Sequence, residues 1–147
     1  MYKHLFVPVD GSALSHRAMD GSIELAVQLG AQITGFVVEP ELPLSAASRN
    51  ADTFTASIHE HQTKNEAHST ALLAQFEARA LAAGVPFNGV SLTSDSVDRV
   101  IADEAEKNGC DMIVIVTHGR GHLGEFVFGS HAKRLISLTR LPVLVLH

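Results

Sequence analysis

Short apolar runs rich in β-branched residues alternate along the chain with longer segments whose apolar residues recur at helical spacing. Runs of this kind are typical of strands buried on both faces of a parallel sheet. The pattern predicts five strands, at residues 5–9, 32–38, 87–93, 112–116 and 142–146. It also predicts four helices between them, at residues 12–29, 52–83, 96–108 and 132–138.

The helix ends carry recognisable signals. Ser12 is a predicted N-cap, Asp52 or Thr53 begins the long helix, and Asp95 or Ser96 begins the third. Gly30 ends the first helix. Because strands and helices alternate throughout, we predict an α/β fold: a doubly wound parallel sheet with right-handed crossovers and helices on both faces. Residues 1–147 are expected to form one domain.

The composition and net charge of the chain limit the kinds of partner and cellular location that we expect. The chain of 147 residues is 46% hydrophobic and carries a net charge of −5, without a basic run. These values are typical of a globular protein and disfavour nucleic acid as the partner. We find no segment long enough to cross a membrane and expect no signal peptide, since the chain enters a strand at once. One cysteine, Cys110, predicts no internal disulfide, so we expect a cytoplasmic protein.

The most informative stretch follows the fourth predicted strand. Thr117, His118, Gly119 and Arg120 come directly after it, and Gly129-Ser130 precede the last helix. Glycines let backbone N–H groups approach a ligand closely, and a helix N-terminus adds unpaired N–H groups with partial positive charge. The spacing therefore favours a phosphate-binding loop.

Two known glycine motifs do not explain this stretch. Residues 119–124 match G-x-G-x-x-G, but residues 125–128 separate them from the helix and no acidic residue follows at the required distance. Residues 124–129 match the start of a P-loop, but Ser130-His131 stands where Lys-Ser/Thr is required.

The stretch resembles the nucleotide loop of the universal stress protein family, whose pattern is G-x2-G-x9-G-(S/T) after the fourth strand. Gly119, Gly129 and Ser130 match its last three marked positions, and Val116 stands where the family has its first glycine. Residues 7–12, 111–114 and 141–145 also resemble the family, so the likeness covers essentially the whole chain.

The resemblance implies strand order 3-2-1-4-5, a homodimer built through the last strand, and ATP or a related adenine nucleotide as ligand, with Mg²⁺ as its accompanying ion. It implies a stress-linked regulator with at most slow ATP hydrolysis. The candidate nucleotide-binding residues are Pro8, Val9, Asp10, Val38, Val116, Thr117, His118, Gly119, Arg120, Gly129, Ser130 and His131.

Several alternatives stay open at the level of sequence. Asp10 could bind the nucleoside or cap the turn formed by Gly11 and Ser12. Because Val116 replaces a glycine, a nucleotide-independent member that acts through protein–protein contacts is the second hypothesis. A flavodoxin-like electron carrier fits the fold, but few aromatic residues are present to stack on a flavin. The histidine spacings do not predict a metal site.

Overall fold

The computed structural model describes residues 1–42, 51–117 and 130–147, without the side chains of residues 51 and 52. Within these ranges the strands are β1 (His4–Pro8), β2 (Gln32–Glu39), β3 (Phe87–Thr93), β4 (Met112–Val116) and β5 (Val143–Leu146). The helices are α1 (Ala13–Leu29), α2 (Ala51–Ala82), α3 (Val97–Lys107) and α4 (Ser130–Leu138).

The strands form one parallel sheet in the order β3-β2-β1-β4-β5, which confirms the predicted topology. The chain winds outward from β1 through β2 to β3, and then crosses back to place β4 on the other side of β1. The strand order therefore reverses between β1 and β4, where Leu5 pairs with Met112 and Phe6 with Ile113. In open α/β sheets the carboxyl ends of such neighbours frame the usual ligand crevice.

Each face of the sheet has its own hydrophobic core because successive strand side chains alternate between faces. Leu5 and Val7 pack with Met19 and Phe76 on the side of α1 and α2. On the opposite side, facing α3 and α4, a second core includes Phe6, Phe36, Ile101, Ile113 and Leu135. Helices thus cover both faces, as predicted.

The element ends differ from the sequence predictions in small ways. β1 runs from His4 to Pro8, and α4 begins at Ser130, two residues before the predicted start. Ser12 and Ser96 occupy the N-cap positions of α1 and α3, but neither side chain makes a capping hydrogen bond. Gly30 ends α1 in the left-handed conformation, as expected.

The carboxyl-terminal half of α2 lies against β2 and β3 through buried Leu72 and Phe76. Its contacts near the carboxyl end of β2 are polar instead. His68 and Ser69 both bond to Glu39, a buried carboxylate at the end of β2. The face of α2 toward the sheet is therefore apolar along one part of the helix and hydrogen-bonded along another. Among the helices of the described ranges, none has the length and apolar composition that crossing a membrane requires.

Candidate functional site

A cleft of about 460 Å³ opens at the carboxyl ends of β1 and β4, at the reversal of strand order. Residues from the sheet, α1, α3 and α4 line it: Pro8, Val9, Asp10, Ser12, Leu14, Ser15, Ala18, Val38, Val97, Ile101, Ile115, Val116, Thr117, His131, Ala132 and Leu135. Most of these side chains are apolar, with a few polar groups among them. This combination is characteristic of a small-molecule site.

Asp10 organises the turn that leads from β1 into α1. Its Oδ1 accepts hydrogen bonds from the backbone N–H of Ser12 at 2.9 Å and from the Ser15 hydroxyl at 3.0 Å. The Ser15 oxygen in turn accepts from the N–H groups of Asp10 and Gly11, at 3.0 and 2.9 Å. The turn-capping role weighed for Asp10 is thus present, and the Ser15 side chain stabilises the same turn from within α1.

These bonds also fix the charge of Asp10. Burial by itself would raise the pKa of its carboxyl group, but the hydrogen bonds from Ser12 and Ser15 stabilise the carboxylate, so the net pKa is lowered. The side chain is therefore an anion at neutral pH. The Asp10 side chain also lines the cleft, where a carboxylate can accept a hydrogen bond from a hydroxyl donor.

A histidine connects the same turn to α2. Gly11 has a φ of +82°, and a Cβ built on it would lie 2.7 Å from Nε2 of His68. Nδ1 of His68 is bonded to Glu39. The imidazole is therefore held between the end of β2 and the turn after β1.

Val116 packs against the core on the α1 side and also borders the cleft. Its neighbour Ile115 belongs to the core on the α3 and α4 side. Thr117 continues the chain beyond β4 and is held by a 2.9 Å bond from its N–H to the Leu146 carbonyl. The branched side chain at position 116 is thus accommodated by core packing, while Ile115 and Thr117 face the opposite layer.

The first turn of α4 is tied to α3. Nδ1 of His131 lies 2.9 Å from Oδ1 of Asp98, and Nε of Arg134 lies 3.5 Å from Oδ2 of the same carboxylate. Asp98 is buried, whereas His131 and Arg134 are exposed. This contact positions the start of α4 beside the cleft.

The structure brings together most of the predicted site residues that it describes. The cleft is lined by Pro8, Val9, Asp10, Val38, Val116, Thr117 and His131, and Ser130 begins α4 next to His131. The predictions for His118, Gly119, Arg120 and Gly129 fall outside the described residues.

Sequence reasoning missed the helical walls of the cleft. Val97 and Ile101 on α3 both line the cleft, although neither was among the predicted site residues. Leu14, Ala18, Ala132 and Leu135 were missed for the same reason, since apolar helix positions give no signal that separates core from ligand contact.

Two curated relatives are similar over nearly the whole chain. The universal stress protein YxiE of Bacillus subtilis is 23% identical over 147 residues, which cover 99% of each protein. The universal stress protein MJ0531 of Methanocaldococcus jannaschii is 27% identical over 145 residues, covering 99% of this chain and 82% of the relative.

Solved structures share the fold. The universal stress protein UspA from Lactobacillus plantarum aligns with a TM-score of 0.77 at 18% identity, over 99% of this chain and 98% of its own. A universal stress protein from Archaeoglobus fulgidus in complex with dAMP has a TM-score of 0.62 at 20% identity, over 99% and 98% of the two chains. One from Arabidopsis thaliana with AMP bound has a TM-score of 0.62 at 17% identity, over 98% and 90%.

The sequence model of the universal stress protein family matches residues 1–147. This match agrees with the strand order and with the cleft at the β1–β4 reversal. The chain belongs to the universal stress protein family.

Proposed function

We propose that the protein binds an adenine nucleotide, with ATP as the preferred form and Mg²⁺ as its accompanying ion, in the cleft at the ends of β1 and β4. The observation that carries this proposal is the cleft itself, which brings seven predicted site residues together from separate parts of the sequence. Its volume of about 460 Å³ lies within the range of small-molecule sites. The dAMP and AMP complexes of proteins with this fold support the same ligand class.

The chemistry of the lining suits the parts of a nucleotide. Pro8, Val38 and Ile115 offer apolar surface to the faces of a purine ring. The Asp10 carboxylate lines the cleft and can accept a hydrogen bond from a ribose hydroxyl. The start of α4 at Ser130 contributes backbone N–H groups and a positive helix end for the phosphates.

Calorimetric titration with ATP tests the proposal. Val97→Asp places a carboxylate at the cleft, and ATP affinity should fall at least tenfold, about 1.4 kcal/mol, through repulsion of the phosphates. An acidic residue at the first position of α3 also suits the helix dipole, so the fold should survive.

Val27→Asp is the matched control, because Val27 is also an exposed valine on a helix but does not line the cleft. Its ATP affinity should equal that of the wild type. Equal affinity of both variants would place the ligand elsewhere, and a wild-type protein that binds no adenine nucleotide would contradict the proposal. That second result would favour the nucleotide-independent alternative.

The proposed biological role is that of a cytoplasmic, single-domain regulator whose nucleotide state informs a stress response. The described lining of the cleft has Asp10 as its only carboxylate, and that group is already bonded by Ser12 and Ser15. We therefore expect ATP hydrolysis to be slow. Turnover faster than about one per second, the low end of ordinary enzyme rates, would identify the protein as an ATPase instead.

We further propose a homodimer built through β5. This strand is an edge of the sheet, and its apolar residues Val143–Leu146 are all only half-buried. Edge strands of this kind invite pairing through their free backbone groups. Light scattering at micromolar concentration should give a dimer mass, and Val145→Lys should shift it to the monomer while Val27→Lys does not. A monomeric wild type would contradict this proposal.

A further inference from the structure

His131 and Asp98 form a histidine–carboxylate pair at the edge of the cleft. The Asp98 side chain is 7% exposed, whereas that of His131 is 77% exposed. The ring nitrogen Nδ1 and the carboxylate oxygen are 2.9 Å apart. Asp98 thus acts as a buried anchor for an imidazole that faces solvent.

The pairing determines which ring nitrogen carries hydrogen. An ionised carboxylate only accepts hydrogen bonds, so Nδ1 must be the donor. In the neutral ring the hydrogen is then on Nδ1, and Nε2 is an acceptor with a lone pair. A phosphate oxygen is also an acceptor. It can therefore bond to Nε2 only when the ring is protonated.

His131 lies where its imidazole can contact a bound anion. The residue lines the main cleft and also a second, polar cleft of about 240 Å³ between α3 and α4, and Val97 borders both. His131 directly follows Ser130, the first residue of α4. An anion at the N-terminus of α4 would therefore lie beside the imidazole.

The surrounding charges do not favour an anion until the ring is protonated. The described lining of the two clefts contains three carboxylates, Asp10, Asp95 and Asp98, and two guanidinium groups, Arg99 and Arg134. Arg134 is 3.5 Å from Asp98, so its charge is partly compensated. A proton on His131 adds a third positive charge, which equals the three negative charges of the carboxylates.

We propose that the protonated His131 imidazole, oriented by Asp98, binds the nucleotide phosphates and makes the cleft select phosphorylated adenine compounds in a pH-dependent manner. This inference rests on the proposed nucleotide function and deepens it. His131 is the contacting group, and Asp98 is a positioning residue that acts through it.

The sign of the pH effect follows from linkage. If phosphate binds only the protonated ring, then binding takes up a proton and affinity rises as pH falls. The test covers the range from pH 6 to pH 8. As pH falls from 8 to 6, we expect ATP affinity to rise at least about fivefold more in the wild type than in His131→Gln. The variant retains the titration of ATP's own phosphates, so the ratio isolates the imidazole.

The experiment is calorimetric titration with ATP and with adenosine, at pH 6, 7 and 8, on wild type, His131→Gln and Asp98→Asn. Adenosine should show no wild-type excess, because it has no phosphate. An asparagine amide can donate to Nδ1, so a neutral ring can carry its hydrogen on Nε2, and the Asp98→Asn profile should be flatter. Asp103→Asn, an exposed site on the same helix, should keep the wild-type profile.

The outcomes separate the two proposals. Parallel ATP profiles for wild type and His131→Gln would overturn the role of His131 and leave the nucleotide function standing. A wild type that binds neither ATP nor adenosine at any pH would overturn both. If Asp98→Asn lowers the melting temperature yet keeps the full pH dependence, Asp98 is structural and does not orient the ring.

Discussion

The two ends of the same parallel strands are built in opposite ways. At the amino end, Asp111 accepts hydrogen bonds from the N–H groups of Lys3 and His4, at 2.8 and 3.1 Å. His4 and Thr34 are 2.7 Å apart at Nε2 and Oγ1. At the carboxyl end, a cleft of about 460 Å³ separates β1 and β4 from the helix ends. At the amino end the polar groups bond to one another across neighbouring strands, whereas at the carboxyl end polar groups line a cleft.

Cys110 shows the character of the closed end. It is 5% exposed, and burial raises the pKa of its thiol to about 11, although a hydrogen bond with Thr34 acts in the opposite direction. A thiol in this state is largely protonated at neutral pH and is a poor nucleophile. Satisfied polar contacts thus stabilise the amino ends of the strands, whereas the carboxyl ends surround a cleft.

The largest expected effect on stability comes from removing a polar contact at the amino ends of the strands. Asp111→Ala removes the acceptor of two backbone N–H groups, and we expect the free energy of unfolding to fall by about 2–3 kcal/mol. ATP affinity should change less than twofold, because the cleft lies at the far end of the strands. Chemical denaturation and calorimetry measure the two quantities.

Asp103→Ala serves as the control for this change, since Asp103 is an exposed aspartate on α3. It should leave stability within about 0.5 kcal/mol of the wild type. A loss of ATP binding in a folded Asp111→Ala protein would show that the two ends are coupled, contrary to the comparison.

A smaller effect is expected at the turn beside the open end. Gly11→Ala puts a Cβ on a residue at φ +82° and 2.7 Å from Nε2 of His68, which Glu39 holds in place. We expect a loss of about 2 kcal/mol from backbone strain and the displaced imidazole. Thermal melts of the variant provide the measurement.

Gly84→Ala separates the two causes. Gly84 has a φ of +74°, and a Cβ added there would meet nothing within 4 Å, so its substitution reports backbone strain alone. Gly11→Ala should be the more destabilising of the pair, and adding His68→Ala should remove part of the difference. Equal losses in the two glycine variants would mean that His68 does not brace the turn.

Sequence predicted the scaffold better than the site for a physical reason. The strands at 112–116 and 87–93 and the glycine at position 30 were confirmed, because β-branched runs and left-handed caps are local signals. The strand order was implied only by family resemblance. Asp98, by contrast, bonds to His131, which is 33 positions away in the sequence, and no local sequence pattern predicts such a pair.

The same limit applies to polar residues within helices. His68 lies one turn before the buried Leu72 on α2, but it bonds to Glu39 on β2, 29 positions away. Ser12 had the local signature of an N-cap, yet Asp10 and Ser15 form the hydrogen bonds at that turn. Residue type predicts that a group will find a partner, but only the packed fold determines which partner it finds.

The smallest expected effect concerns Val116, where the family pattern has a glycine. Its side chain packs against the core on the α1 side, so it need not block the backbone donors that follow. We therefore expect Val116→Gly to change ATP affinity less than tenfold, or about 1.4 kcal/mol at most. Val116→Ala, which keeps a Cβ, should lie between the two, and a melt of each variant verifies that it is folded during calorimetry. If ATP binds only to the glycine variant, then the valine closes the site, the natural protein is nucleotide-independent, and the open end of the sheet serves another purpose.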